Sequence, residues 1–100
     1  MRALIIGGVG GMGQGVARDL IKQKQVEAVI LADLYPDPER LSTKLRENKK
    51  TSLIKMDVND HDLMVKAFKD VNVVINTAGP FYKTAVPVAK AAVEAKVNYI

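Results

Sequence analysis

An apolar run that breaks into closely spaced glycines constrains this chain more than any other feature. Residues 3–6 read Ala-Leu-Ile-Ile, and Gly8-x-Gly10-x-x-Gly13 follows and leads into a segment with helical apolar spacing. The N–H groups at the start of a helix bind a diphosphate when the preceding turn is tight and free of side chains. On this interpretation Gly8 permits the turn, Gly10 lets the phosphates approach, and Gly13 lets the helix lie against the strand. The motif predicts a dinucleotide-binding corner.

An acidic residue at a characteristic distance supports this interpretation. The second apolar run, residues 28–32, leads directly into Asp33, twenty residues after Gly13. This is the spacing at which a carboxylate meets the adenosine ribose of a dinucleotide. An acid that caps a turn at a strand end would explain Asp33, but it would not explain the distance from the glycines. Because glycine clusters also mark ordinary turns, the hypothesis depends on the two signals occurring together.

Apolar runs recur at intervals of roughly 25 residues, and helix-like segments lie between them. The runs are Ala3–Ile6, Ala28–Ala32, Ser52–Met56, Val71–Ile75 and Val97–Ile100. Such alternation predicts an α/β fold, a doubly wound parallel sheet of the Rossmann type covered by helices on both faces. We expect the strand order 3-2-1-4-5, with a ligand crevice where the first and fourth strands diverge.

Capping residues predict where the helices begin. The first helix is expected over Gly11–Lys24, and an Asp37-Pro38 start is expected for the second, ahead of Leu41 and Leu45. Asn59 or Asp60 is expected to cap the third helix. Thr84 is expected to cap the fourth, which would place Pro87 in the first turn, where a missing N–H costs little.

Composition limits the function classes. One hundred residues with 48% hydrophobic and 26% charged residues are typical of one globular domain. No apolar run approaches the roughly 20 residues of a membrane span, and no cleavage site follows the first run, so we expect a cytoplasmic protein without membrane contact. The chain has no cysteine and one histidine, His61, which argues against a metal site. The net charge of +4 comes from scattered lysines, so nucleic acid is not an expected partner.

Two alternative nucleotide motifs deserve comparison. A phosphate loop for ATP or GTP requires lysine and a hydroxyl residue where Gln14 and Gly15 stand, so that alternative fails. Gly7-x-x-Gly10-x-x-Gly13 and the segment Asn76-Thr77-Ala78-Gly79 resemble elements of short-chain dehydrogenases. Those enzymes need a Tyr-x-x-x-Lys pair, which none of the three tyrosines forms within these residues. An atypical short-chain dehydrogenase-like domain therefore stays open as an alternative.

The chain resembles, essentially from end to end, the N-terminal NAD(P)-binding domain of the saccharopine dehydrogenase family. That family includes lysine 6-dehydrogenase-like and carboxynorspermidine synthase-like enzymes. The segments that carry the resemblance are LIIGGVGGMGQGVARDL, LAD at 31–33, KMDVND at 55–60, VVINTAGPFY at 73–82 and AVEAKVNYI. The GPF element after the fourth strand separates this family from other dinucleotide-binding domains.

The resemblance implies a set of cofactor-binding residues. It places Gly8, Gly10, Gly11, Met12 and Gly13 at the pyrophosphate, Asp33 at the adenosine ribose, Asp57 and Val58 beside the adenine, and Ala78, Gly79 and Pro80 at the nicotinamide ribose. Asp33 favours NAD because a carboxylate repels a 2′-phosphate at hydrogen-bond distance. NADP is possible if Arg40 reaches the same site. No catalytic residue is predicted.

The function implied is that of an oxidoreductase domain that moves hydride between nicotinamide and the C–N carbon of an amino acid or related amine. We expect residues 1–100 to be a fragment of a longer, homo-oligomeric enzyme, without the domain that holds the substrate, and to be inactive alone. An uncovered edge at residues 97–100 predicts dimerisation or aggregation, which monomeric elution at high concentration would contradict. A nucleotide-sensing regulatory domain is the alternative from a different functional class.

Overall fold

The computed structural model describes residues 1–100 as five strands, four α-helices and one short 3₁₀ turn. The strands are β1 (Arg2–Ile6), β2 (Ala28–Asp33), β3 (Thr51–Lys55), β4 (Val73–Asn76) and β5 (Asn98–Tyr99). The helices are α1 (Gly11–Leu20), α2 (Thr43–Arg46), α3 (His61–Phe68) and α4 (Phe81–Ala95), and the 3₁₀ turn is Pro38–Arg40. No helix is both long and apolar enough to cross a membrane.

All five strands are parallel and lie in the order β3-β2-β1-β4-β5, which confirms the predicted Rossmann topology. The chain therefore crosses from one half of the sheet to the other between β3 and β4. This crossover leaves β1 and β4 side by side, with Ile6 paired to Asn76 at their carboxyl ends. In sheets of this type the point where the strand order reverses opens a crevice for ligands.

The alternating side chains of the strands build a separate apolar core on each face of the sheet. Leu4 and Ile6 point to one face, where the sheet packs with α3 and α4 around Met64, Phe68 and Val88. Ile5, Leu31 and Val29 point to the opposite face and pack with α1 and α2, through Ala17 and Leu45 among others. Burial on both faces explains why the strand segments are continuously apolar in sequence.

The first two helices are shorter than predicted. Helix α1 ends at Leu20 instead of Lys24, because the chain turns there and delivers Val26, which is 1% exposed, to the core. Asp37 does cap a helical segment, accepting a hydrogen bond from the N–H of Glu39 at 3.0 Å. That segment is a single 3₁₀ turn, since Leu41 leaves the helical region (φ −80°, ψ 143°) and becomes buried.

The fourth helix is present, but its predicted start at Thr84 was wrong. Helix α4 begins at Phe81, with Pro80 as its N-cap, so Thr84 lies within the first turn and Pro87 lies inside the helix. The Thr84 hydroxyl cannot act as a cap because it donates to the carbonyl of Ala78 at 3.1 Å and accepts from the amide of Asn76 at 3.0 Å. Asp60, in contrast, caps α3 as predicted, accepting from the N–H of Leu63 at 3.1 Å.

Candidate functional site

A cleft of ≈ 570 Å³ lies at the carboxyl ends of the strands, where β1 and β4 diverge. Its size falls within the roughly 300–1,000 Å³ typical of small-molecule sites. Seven of the eleven residues predicted to contact a cofactor line it: Gly10, Asp33, Asp57, Val58, Ala78, Gly79 and Pro80. The other four, Gly8, Gly11, Met12 and Gly13, lie in the adjoining glycine corner and do not line the cleft. The topology thus brings four separate sequence segments, which follow β1, β2, β3 and β4, to one opening.

The glycine corner is the turn from β1 into α1, residues 7–13. Its sharp turn is made by Gly7, whose φ of +77° belongs to the left-handed region that glycine adopts at no steric cost. A Cβ at Gly7 would also lie 2.8 Å from the backbone nitrogen of Ala78. The prediction that Gly8 permits the turn was therefore wrong. Gly8 is instead a packing position, since a Cβ there would lie 2.7 Å from the Cβ of Leu31.

Helix α1 begins at this corner with its N–H groups uncapped. Gly10 is the N-cap and has no side chain with which to accept a hydrogen bond, and the first turn contains no acidic residue. The N–H groups of Gly11, Met12 and Gly13 point along the helix axis and have no acceptor within the helix. Together with the helix dipole, they form a cradle for a negatively charged group.

Gly13 brings the start of α1 close to β1, as the sequence predicted. A Cβ at this position would overlap the carbonyl oxygen of Gly7 and lie 2.8 Å from the Cα of Gly8. Gly11 and Met12, in contrast, are exposed beside the cleft, and a Cβ at Gly11 would meet no atom within 4 Å. The glycines of the motif therefore divide into those required by packing and those that leave open space.

Asp33 turns its carboxylate toward the glycine corner from the end of β2. One oxygen accepts a hydrogen bond from the N–H of Val9 at 3.3 Å, and the other accepts from the N–H of Tyr35 at 3.2 Å. These bonds fix the side chain while each oxygen keeps a further lone pair for a ligand. Asp33 and Gly10, the N-cap of α1, both line the cleft, so the carboxylate lies at the same opening as the N-cap of this helix.

The ends of β3 and β4 complete the wall of the cleft. Asp57 accepts a hydrogen bond from the N–H of Asn59 at 2.9 Å, so it shapes its own turn while lining the cleft beside Val58. Thr77 donates from its hydroxyl to the carbonyl of Ile6 at 2.7 Å and joins this wall to β1. Gly79 follows in the open, because a Cβ there would meet no atom within 4 Å.

Two cationic side chains, Arg40 and Lys83, also line the cleft. Arg40 lies on the segment after β2, and Lys83 lies in the first turn of α4. Neither cation forms an ion pair. The two salt bridges of the protein join the N-terminus to Glu27 and His61 to Glu94. A bound anion would therefore find an uncapped helix start and two unpaired cations. The arrangement fits a diphosphate whose sugar is held by a carboxylate.

Comparison with known proteins identifies relatives of this chain. A family model described as "Saccharopine dehydrogenase NADP binding domain" matches residues 3–100. Among curated proteins, eugenol synthase 2 of Clarkia breweri is 38% identical over 82 residues, covering 78% of this chain and 26% of that protein. The 3 beta-hydroxysteroid dehydrogenase/Delta 5-->4-isomerase of Vaccinia virus (strain Copenhagen) is 31% identical over 74 residues, covering 74% of this chain and 20% of that protein. The matches thus span 20% to 26% of the length of these relatives.

Solved structures share the fold. Apo saccharopine dehydrogenase (L-Glu forming) from Saccharomyces cerevisiae superposes with a TM-score of 0.79 at 22% identity, over 98% of this chain and 20% of that chain. DesIV, a dTDP-glucose 4,6-dehydratase from Streptomyces venezuelae solved with NAD and TYD bound, gives a TM-score of 0.80 at 21% identity, over 97% of this chain and 37% of that chain. At these identities the likeness establishes the architecture.

Proposed function

The chain belongs to the saccharopine dehydrogenase NADP-binding domain family, and from this premise we propose that its cleft binds a nicotinamide dinucleotide as part of an amine-oxidising enzyme. One observation carries the proposal: Gly10, the N-cap of the uncapped helix α1, and Asp33 line a single cleft. The first suits the diphosphate and the second suits the adenosine ribose.

The remaining site residues follow from their places along the cleft. The N–H groups of Gly11, Met12 and Gly13 would hold the diphosphate beside Gly10. Asp57 and Val58, at the end of β3, lie on the side of Asp33 and would border the adenine. Ala78, Gly79 and Pro80, at the end of β4, would border the nicotinamide ribose. Gly8 acts through packing, because a Cβ at this position would collide with Leu31.

The proposed reaction is hydride transfer between nicotinamide and the C–N carbon of an amino acid or related amine. The bound cofactor supplies the hydride acceptor or donor at its nicotinamide ring. In the oxidative direction the substrate carbon loses a hydride and its nitrogen loses a proton, which leaves a substrate imine. The chain's own contribution is to orient the cofactor. Lys83, unpaired in the first turn of α4, is placed to attract a negatively charged group at that end of the cleft.

Cofactor preference depends on two residues of opposite charge on one wall. Asp33 can accept hydrogen bonds from both ribose hydroxyls but repels a 2′-phosphate, which favours NAD. Arg40 carries an unpaired guanidinium that suits a phosphate, which allows NADP. We propose that the domain binds both cofactors and that Asp33 gives NAD the advantage.

Calorimetric titration with NADH and NADPH tests the binding proposal. We expect Asp33→Asn to weaken NADH binding about tenfold, because charge-assisted hydrogen bonds to the ribose become neutral ones. Asp70→Asn is the matched control, since the Asp70 carboxylate is exposed and has neither a hydrogen bond nor an ion pair. Failure of the parent chain to bind either cofactor would overturn the proposal.

A second candidate function is hydride transfer at an alcohol carbon. It is favoured by the glycine pattern that the structure uses, Gly7-x-x-Gly10-x-x-Gly13, and by the similarity to curated enzymes that include a hydroxysteroid dehydrogenase. Assays of a protein that joins this domain to a substrate domain would separate the candidates. We expect reduced nicotinamide to form with saccharopine, lysine or related amines. Turnover confined to secondary alcohols would support the second candidate, and binding without turnover of either class would indicate a nucleotide sensor.

A further inference from the structure

Gln14, in the first half of α1, is a buried polar side chain that the glycine motif does not require. It is 9% exposed, and its amide group makes three hydrogen bonds to backbone atoms. The Nε2 atom donates to the carbonyl of Val9 at 2.8 Å and to the carbonyl of Arg40 at 2.8 Å. The Oε1 atom accepts from the N–H of Ser42 at 3.0 Å. Two carbonyls and one N–H fix which way the amide is oriented, since a flipped amide would lose all three bonds.

These bonds join two segments that border the adenosine end of the cleft. Val9 belongs to the glycine corner, and its own N–H donates to the carboxylate of Asp33. Arg40 and Ser42 belong to the segment after β2, residues 34–42. That segment otherwise makes hydrogen bonds only with itself, with Asp33 and with the start of α2. The side chain of Gln14 therefore supplies the hydrogen bonds that attach segment 34–42 to α1 and the glycine corner.

We propose that Gln14 is a positioning residue that holds Arg40 in the wall of the cleft that Asp33 also lines, and that it thereby supports the binding of NADP relative to NAD. The inference rests on the proposed cofactor-binding function. Gln14 itself is too deeply buried to reach a ligand, so it acts through the backbone of Arg40. Without the three hydrogen bonds of Gln14, Leu41 still holds segment 34–42 to the core. The carbonyl of Arg40 is then no longer fixed in position. The guanidinium then contacts a 2′-phosphate less often, while the ribose contact of Asp33 persists.

The test compares dissociation constants for NADPH and NADH in the parent chain and in Gln14→Met. Methionine keeps the length of the side chain and adds no charge, but it makes none of the three hydrogen bonds. We expect NADPH binding to weaken about tenfold and NADH binding to weaken less than about twofold. Gln23→Met, an exposed glutamine whose side chain has no hydrogen bond, is the matched control and should leave both constants unchanged.

A second variant removes one of the three hydrogen bonds and keeps the Gln14 side chain in place. Ser42 has φ −61° and ψ 153°, so proline can replace it and delete the N–H that donates to Gln14. Leu41 is extended, as the residue before a proline prefers. We expect Ser42→Pro to lower the NADPH-to-NADH preference in the same direction as Gln14→Met, by a smaller factor. It also keeps the test decisive if Gln14→Met does not fold.

Coupling to Arg40 distinguishes positioning from a general structural role. If Gln14 acts through Arg40, the double variant Gln14→Met/Arg40→Ala should bind NADPH as Arg40→Ala does. An unchanged preference in both Gln14→Met and Ser42→Pro, or equal weakening of NADPH and NADH, would overturn the inference. Those results would leave the proposed function standing, because that function fails only if the parent chain binds neither cofactor.

Discussion

Two turns at the carboxyl ends of the neighbouring strands β1 and β4 border the cleft, and they differ in how closely their glycines are packed. The glycine corner after β1 is closely packed, since Cβ atoms at Gly7, Gly8 and Gly13 would each collide with backbone or a buried side chain. The turn after β4 is open, since a Cβ at Gly79 would meet nothing within 4 Å. Gly7, Gly8 and Gly13 of the first turn are therefore required by packing. Gly79 of the second turn leaves open space at the cleft.

The largest effect is expected at Gly13, where the start of α1 contacts β1. Gly13→Ala would force its Cβ into the carbonyl oxygen of Gly7, and backbone atoms cannot rotate away. We expect the free energy of unfolding to fall by about 3 kcal/mol or more, measured by urea denaturation. Gly15→Ala, on the same helix with its nearest atom 4.0 Å away, is the control and should raise stability by about 0.5–1 kcal/mol. Equal stability of the two variants would contradict the packing account.

The next largest effect is expected at Gly7. Gly7→Ala would hold an alanine at φ +77° and bring its Cβ close to Ala78, so the free energy of unfolding should fall by about 2 kcal/mol. Thermal and urea denaturation would both report the loss. A loss of less than about 0.5 kcal/mol in the free energy of unfolding would show that the backbone at Gly7 does not require glycine.

A smaller effect is expected where the two turns are joined. Thr77→Val removes the hydroxyl that donates to the carbonyl of Ile6 at 2.7 Å but keeps the shape of the side chain. We expect a loss of about 1 kcal/mol in the free energy of unfolding, typical of one hydrogen bond. An increase in the free energy of unfolding would contradict this account. It would mean that the Thr77 hydroxyl costs more to remove from water than its hydrogen bond returns.

The smallest effect on stability is expected at Gly79, and this variant separates folding from binding. Gly79→Ala should change the free energy of unfolding by less than about 0.5 kcal/mol, because the added methyl group meets open space. Cofactor binding should weaken about tenfold, because the methyl group would enter the end of the cleft that we propose for the nicotinamide. A stability loss as large as that of Gly7→Ala, or an unchanged dissociation constant, would remove the distinction between the two turns.

The order of the strands and the place of Asp33 could be predicted from the sequence, but the residue that makes the sharp turn could not. Strand order followed from the alternation of apolar runs, and the position of Asp33 in the cleft followed from its spacing to Gly13, because a doubly wound sheet brings the carboxyl ends of β1 and β2 to the same edge. The turn was assigned to Gly8 instead of Gly7, since adjacent glycines satisfy overlapping motifs and only the path of the backbone decides which one has positive φ.

Errors elsewhere came from partners distant in sequence. Thr84 has the residue type of an N-cap, but its hydroxyl is occupied by Asn76 and Ala78, which no local pattern reveals. In the sequence, Gln14 is distinctive only because it stands where a phosphate loop requires lysine. Its three backbone partners lie 5 to 28 residues away in sequence, so its role required the folded structure. A polar residue among apolar helix positions was the available signal.

The account's central claim is that a nicotinamide dinucleotide lies between the two turns, with its diphosphate on the uncapped start of α1. The most direct measurement is titration of the ¹⁵N-labelled chain with NADH and NADPH, monitored by amide chemical shifts. We predict the largest shifts at Gly11, Met12 and Gly13, followed by Asp33 and Gly79. Saturable binding that leaves these amides unmoved, or that shifts only residues on the outer face of α4, would contradict the claim.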